Sequence, residues 1–167
     1  HRMHHADPDF DVTTALRFHP LEMALSMVIK LGAVAILGPA ALAVLIFEVL
    51  LNGTAMFNHG NVSLPPGLDR WLRLVVVTPD MHRVHHSIEA AEYNSNFGFN
   101  LPWWDRLFGS YRAQPALGHD EMQIGLPNYG GRVCANPIWM LVLPFRSLDP
   151  EPPRTAPRPQ GKYHDEG

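Results

Sequence analysis

Across 167 residues the sequence contains a single cysteine, Cys134. That excludes an internal disulfide framework and every zinc pattern built on paired cysteines, and Cys134 itself reads as a small apolar residue. The formal charge is -3 with histidine neutral, and no block of lysine and arginine runs through the chain, so a nucleic-acid footprint is not supported. Also missing is HExxH, the helical pattern that joins two zinc-binding histidines to a glutamate general base. No repeat of solenoid period is visible. Neither an initiator methionine nor a signal-peptide pattern precedes His1, which gives the chain the look of a piece of something longer.

Charge is scarce in one region above all. From Leu21 to Phe57 the chain reads LEMALSMVIKLGAVAILGPAALAVLIFEVLLNGTAMF, with Glu22, Lys30 and Glu48 its only charged residues. A bilayer core needs about 20 apolar residues per helix, so this run is too long for one comfortable span. It divides at Gly38-Pro39, where proline breaks the helical ladder and glycine permits a tight reversal. The expectation is a membrane hairpin over about residues 22–57, with spans at 22–37 and 39–57, because apolar residues occur all round rather than on a stripe. A buried soluble hairpin is the competing reading. Lys30 and Glu48 fall inside the spans, where they must snorkel or face protein.

After Asn58 the chain turns polar and is broken again at Pro65-Pro66-Gly67. In LDRWLRLVVV, Leu68, Trp71, Leu72 and Val75 fall at helical spacing with Arg70 and Arg73 on other faces, which suits a helix at a membrane surface or one packed on a soluble domain. Residues 94–111, NSNFGFNLPWWDRLFGSY, read as a loop followed by a short helix. Residues 149–167 are proline-rich and charged, predicting a disordered tail in which His164 is inert. Asn52-Gly-Thr and Asn61-Val-Ser fit the glycosylation sequon, a three-residue match of little weight.

What the sequence does have is histidine, ten in all. His-x-x-His-His occurs twice, as HRMHH at His1, His4 and His5 and as HRVHH at His82, His85 and His86. In a strand these positions split between two faces, whereas on a helix they fall on one side. Three imidazoles converging on one point suggest a metal site for iron, zinc, copper or nickel, and two such triplets could surround one metal or two. A surface pH-sensing cluster is the alternative. If the triplets share a site, the apolar run between them must cross the membrane an even number of times, and the break at Gly38-Pro39 supplies the second crossing. His59, in FNHGN, then emerges on the same side and joins the candidates. His19 reads as a structural residue or one supporting the ligands, with Glu22 a turn further on; His119 reads as solvated. Asp7 and Asp80 could orient ligating imidazoles by accepting a distal N–H, and Asp80 could equally cap a helix after Thr78-Pro79.

HRMHHAD with DFDVTTALRFHPLE, then FNHGNV, TPDMHRVHHS and NSNFGFNLPWWDRLFGSY, taken in that order over roughly residues 1–125, resemble the fatty acid hydroxylase / sterol desaturase superfamily of histidine-rich membrane oxygenases. The resemblance implies an all-α integral-membrane protein: a helical hairpin carrying a cytosolic cap of histidine-bearing helices. Residues 1–148 would form the C-terminal part of the hydroxylase-like domain. It further implies two iron ions held by His1, His4, His5, His59, His82, His85 and His86, with O2 as co-substrate. The expected reaction is hydroxylation or desaturation of a lipid, with electrons from a reductase, cytochrome or ferredoxin. Asn96 and the Trp104-Asp105 pair match the segment after the last motif, in a packing or a substrate role. Family members carry a further HxxxH-like motif upstream of the first triplet, and this chain begins after its place, so the chain alone is expected to be inactive. A redox metal suits attack on an unactivated C–H bond, which zinc does not. A membrane zinc hydrolase and a non-catalytic metal-binding membrane module remain the rival readings.

Overall fold

A computed structural model describes residues 1–126 and 136–146. Cys134, the proline-rich tail and His164 lie outside the described residues. Among the described residues the architecture is all helical, without strands; an isolated antiparallel bridge joins Ser87 to Ile124.

Two helices dominate, α2 (Pro20–Leu37) and α3 (Ala41–Asn58), each of 18 residues. At 1.5 Å per residue each is about 27 Å long, close to the thickness of a bilayer core. Both are long and apolar enough to cross a membrane, α2 buries none of its residues in the protein, and α3 buries only Ala55 and Asn58 near its end. The reversal falls where Gly38-Pro39 predicts it. Gly38 ends α2 in the left-handed conformation at φ +59°, which glycine adopts without penalty, while Pro39 and Ala40 form the turn, so the second helix starts at Ala41 rather than at 39. Lys30 and Glu48 find each other across the hairpin, with Nζ 2.8 and 3.0 Å from the two carboxylate oxygens. Each charge therefore faces protein, as their place inside apolar helices requires.

The short elements gather at the open end of the hairpin. They are α1 (Arg2–His5), a 3-10 turn (Val12–Leu16), α4 (Pro66–Leu72), α5 (Pro79–His85), α6 (Ala90–Tyr93), α7 (Trp103–Phe108), α8 (Pro137–Val142) and a closing 3-10 turn (Leu143–Phe145). The end of α3 packs against α5 and the first 3-10 turn. Few large apolar side chains are fully buried in this cap: Phe10, Met81, Leu143, Val77 and Val84, joined by His4, His59 and His86. Histidine is thus a main constituent of the interior, unusual for a residue of intermediate burial preference.

The amphipathic segment after Pro65 is helical only over Pro66–Leu72. Its polar side turns inward, where Asp69 and Arg73 are buried and ion-paired, while Leu68, Trp71, Leu74 and Val75 face outward. α7 repeats this, leaving Trp103, Trp104, Leu107 and Phe108 exposed, and Trp103 Nε1 donates to Leu74 O at 2.6 Å. An apolar face pointing away from the protein, with tryptophan on it, fits a membrane surface better than a soluble domain.

Candidate metal centre

Each histidine is delivered by a helix end. His1 caps α1, with His4 and His5 inside it; His59 caps the C-terminus of α3; His82 and His85 lie in α5 and His86 closes it. Their imidazoles fall into two groups, in each of which one ring nitrogen from every member lies within 4.8 Å of the others: His4, His59, His82 and His86, and His1, His5 and His85. All seven histidines expected as ligands are in these groups.

The grouping differs from one triplet per point. At 100° per residue, position i+4 of a helix lies 40° to one side of i and i+3 lies 60° to the other, so i+3 and i+4 are 100° apart. Accordingly His82 and His86 combine with His4, the i+3 residue of the other triplet, and His1 and His5 combine with His85 in the same way. The triplets interlock, and His5 stacks on His86 at 4.5 Å between ring centroids, joining the two groups.

Hydrogen bonds fix which nitrogens point inward. A carbonyl can only accept, so His4 Nδ1 donates to Thr14 O at 2.9 Å, His59 Nδ1 to Ala55 O at 2.7 Å, and His85 Nδ1 to Ser95 O at 2.8 Å. In the neutral rings this leaves a lone pair on each Nε2. His59 Nε2 nonetheless lies 3.0 Å from His4 Nε2 and 3.1 Å from His82 Nε2. The lone pairs of His4 and His59 cannot bond each other. Two nitrogens about 2.0–2.1 Å from one metal and at right angles would be about 3.0 Å apart, so a cation reconciles the contacts. His86 adds two fully buried ring nitrogens without a partner, and His82 one.

The rings are kept neutral. Burial, reinforced by the neighbouring imidazoles, pushes His4 down to about 2 and His5 to about 3 from an ordinary 6.5, and holds His82 and His86 well below it. Burial also lowers His59 and His85, against the opposing effect of their carbonyl hydrogen bonds. Neutral imidazole is the form that ligates, so the pocket is set to bind metal.

Phe18 stacks on His4 at 4.6 Å, and Phe10 packs within 5.0 Å of His86. Phe10 does so at φ +47°, a strained conformation for an aromatic residue, costing roughly 1–3 kcal/mol and held by its surroundings. The residues expected to support the ligands divide. Asp7 accepts from Thr14 Oγ1 at 2.9 Å and pairs with Arg17, so it acts on His4 through Thr14. His19 caps α2, accepting from Leu21 N, and contacts Leu141 O at 3.2 Å, outside both groups. Asp80 pairs with Arg83 at 3.5 Å; the N-cap of α5 is Thr78, without a side-chain cap bond. Asn96 is fully buried, with Nδ2 donating to Met81 O and Arg112 O and Oδ1 accepting from Arg112 N. It ties the loop after α6 to α5.

Other contributions carry little sequence signal. The acceptors on Thr14, Ala55 and Ser95 are main-chain carbonyls, which no motif announces; only Ala55, four residues before His59 on a helix, could be placed by spacing. Asp105 clamps the loop by accepting from Phe97 N, Gly98 N and Ser110 Oγ at 2.8, 2.7 and 2.6 Å. His119, expected to be solvated, instead has both ring nitrogens buried and unpartnered. Asn61 of the second sequon accepts from Arg83 Nη2 at 3.0 Å.

The family model for fatty acid hydroxylase matches residues 1–110. Ornithine lipid hydroxylase OlsE of Rhizobium tropici is 28% identical over 145 residues, covering 87% of this chain and 41% of that protein. The alkylglycerol monooxygenases of Homo sapiens and Xenopus tropicalis are 27% and 31% identical over 119 and 111 residues, covering 68% and 66% of this chain and 24% of each relative. The chain thus spans less than half the length of these relatives. No solved structure matches it.

Proposed function

The chain belongs to the fatty acid hydroxylase family, and from that premise we propose that its residues 1–148 are part of an O2-dependent di-iron enzyme that hydroxylates a membrane lipid. The observation that supports this most directly is the facing of lone pairs at His4 and His59, with His82 and His86 around them and a second group of three imidazoles beside. His4, His59, His82 and His86 would hold one iron and His1, His5 and His85 the other.

Bound iron would supply the redox chemistry that no side chain offers, activating O2 against a C–H bond. One oxygen atom would enter that bond and the other leave as water, with two electrons drawn from a reductase, cytochrome or ferredoxin and two protons from solvent. The chain's own residues do the rest. The carbonyls of Thr14, Ala55 and Ser95 orient three rings and hold their protons on Nδ1, leaving Nε2 free to ligate. Phe10 and Phe18 exclude water from the inner group. The hairpin sets the cap against the bilayer, with both helix ends and His59 on one face, which we assign to the cytoplasm. The names of the relatives suggest the substrate class: a lipid with a long alkyl or acyl chain and a polar head.

Metal analysis and oxygen uptake on the full-length protein purified in detergent test this reading. Iron in about a two-to-one ratio to chain, with O2 consumed as lipid product forms, is the expected result. Zinc in place of iron, with no O2 consumption, would sink the proposal in favour of a hydrolase.

A further inference from the structure

The last described helix and turn present two unlike faces. In α8 and the closing 3-10 turn, PIWMLVLPF over 137–145, no residue is charged. Ile138, Leu141, Val142 and Phe145 are spaced i, i+3, i+4 and i+7, and all four are exposed, Ile138 to 75% and Phe145 to 71%. That is the apolar stripe of an amphipathic helix, but it points away from the protein. A surface turned to water would carry polar residues at such positions. The opposite face points inward: Leu143 is fully buried against Ala6, with Trp139 and Leu126 packed around the contact.

Both faces have a fixed place in the fold. His19, which caps α2, accepts from Leu21 N at Nδ1, so in the neutral ring Nε2 carries the proton and donates to Leu141 O at 3.2 Å. The ring of Phe145 lies 5.9 Å from the same imidazole. The outward stripe is therefore held at the level where α2 begins its apolar span, and a lipid surface there is continuous with the one the hairpin crosses. On the inner side the segment meets α1. Arg2 and Ala6 are about one helical turn apart; Leu143 seats on Ala6, and Arg2 Nη1 donates to Arg146 O at 2.8 Å. Between these two anchors stand His4 and His5, one belonging to each imidazole group.

We propose that residues 137–146 form a strap whose outer face lies on the phospholipid leaflet and whose inner face holds α1 in register with α5. The partner of the outer face is the bilayer itself, because the stripe carries no charge and runs on from the start of a membrane-crossing helix. Leu143 and Arg2 are positioning residues: neither is among the ligating imidazoles, and both act through His4 and His5. Since those two histidines serve different groups, loosening the strap releases metal from both. The segment lies outside the residues matched by the family model, so the first triplet depends on a part of the chain that its motif does not announce. The effect on metal rests on the proposed function; the lipid contact does not.

Photocrosslinking and metal release, both on the full-length protein in phosphatidylcholine nanodiscs, test the strap without requiring turnover. With p-benzoylphenylalanine in place of Ile138 or of Phe145, illumination should give phospholipid adducts, as the same group should in place of Leu25 on the exposed face of α2. Adducts to a second copy, or to another segment of the protein, overturn the lipid contact. Transfer of bound metal to a chelator, followed below the melting temperature, reads the grip on α1. Leu143→Ala should speed release from both groups roughly tenfold or more, and Leu143→Met, close in volume, should restore the wild-type rate. Arg2→Met, an exposed change that leaves the core intact, should speed release roughly two- to tenfold. Lys30→Met is the control: it lowers stability at the hairpin and should leave release unchanged. Release from Leu143→Ala no faster than from Lys30→Met overturns the positioning role, and if Leu143→Ala does not fold, an unchanged rate in Arg2→Met overturns it instead. Phospholipid adducts on a protein that holds zinc and consumes no O2 would refute the proposed reaction and leave the lipid contact standing.

Discussion

His5 Nε2 and His85 Nε2 face each other at 3.2 Å from positions eighty residues apart in the chain, and the Nδ1 proton of His85 is already given to Ser95 O. With the His85 Nε2 lone pair facing it, His5 Nε2 either donates its proton there or, in its other tautomer, shares a cation with His85. Chelation of the full-length protein should lower its melting temperature, and His85→Ala should remove metal from the group of His1, His5 and His85 and abolish turnover without preventing membrane insertion. His19→Ala is the contrast: it loses the cap of α2, worth about 0.5–2 kcal/mol, and should retain its metal. Metal content of the two variants, measured side by side, checks this.

Acid should weaken the metal-free protein. His4 and His5 stay neutral in the fold down to about 2 and about 3, while in the unfolded chain they take up protons below about 6.5. The unfolded state thus binds more protons between these limits, so stability is full above pH 6.5 and declines as pH falls towards 3, with a slope of up to about 1.4 kcal/mol per pH unit for each such residue. Melting of the chelated protein between pH 8 and 5 should be flat at the upper end and fall below 6.5. A melting temperature independent of pH over that range would contradict the burial of neutral rings.

Lys30 and Glu48 neutralise each other inside the hairpin. Removing one leaves the other charge near mid-membrane, at a cost of roughly 2.5–3.5 kcal/mol. Lys30→Met and Glu48→Met should each lower thermal stability in nanodiscs, and the double substitution should recover much of the loss. Simple additivity of the two losses would show that the pair is not coupled.

Gly98 and Asp105 form a joint constraint on the loop that carries Ser95 and Phe97. A Cβ at position 98 would sit 2.6 Å from Asp105 Oδ2 and 2.7 Å from Leu101 O. Gly98→Ala and Asp105→Ala should both destabilise by a few kcal/mol, the latter by orphaning two amides and a hydroxyl at about 1–3 kcal/mol each. Combined, they should cost less than their sum, measured by denaturant or thermal melts.

Local rules made much of this legible. The reversal at Gly38-Pro39 follows from backbone chemistry, six of the histidines stand out by spacing, and His59 follows from the two crossings that bring the triplets together. Less was readable where the outcome depends on how distant segments meet. That His85 would join His1 and His5 rather than its own neighbours is set by the approach of α1 to α5, which no periodicity encodes. His119 differs for the same reason: it was covered by chain that its own polar neighbours gave no hint of. Asp105 hides its role because its partners are mostly main-chain amides.

The interlocking of the two triplets has a consequence for how such a protein can fail or change. Neither HRMHH nor HRVHH owns a metal, so damage to either strips ligands from both. Loss of a whole segment therefore cannot leave one group complete and the other empty, although a single substitution such as His85→Ala can. The two segments must be retained or discarded together, by a protease as much as by descent.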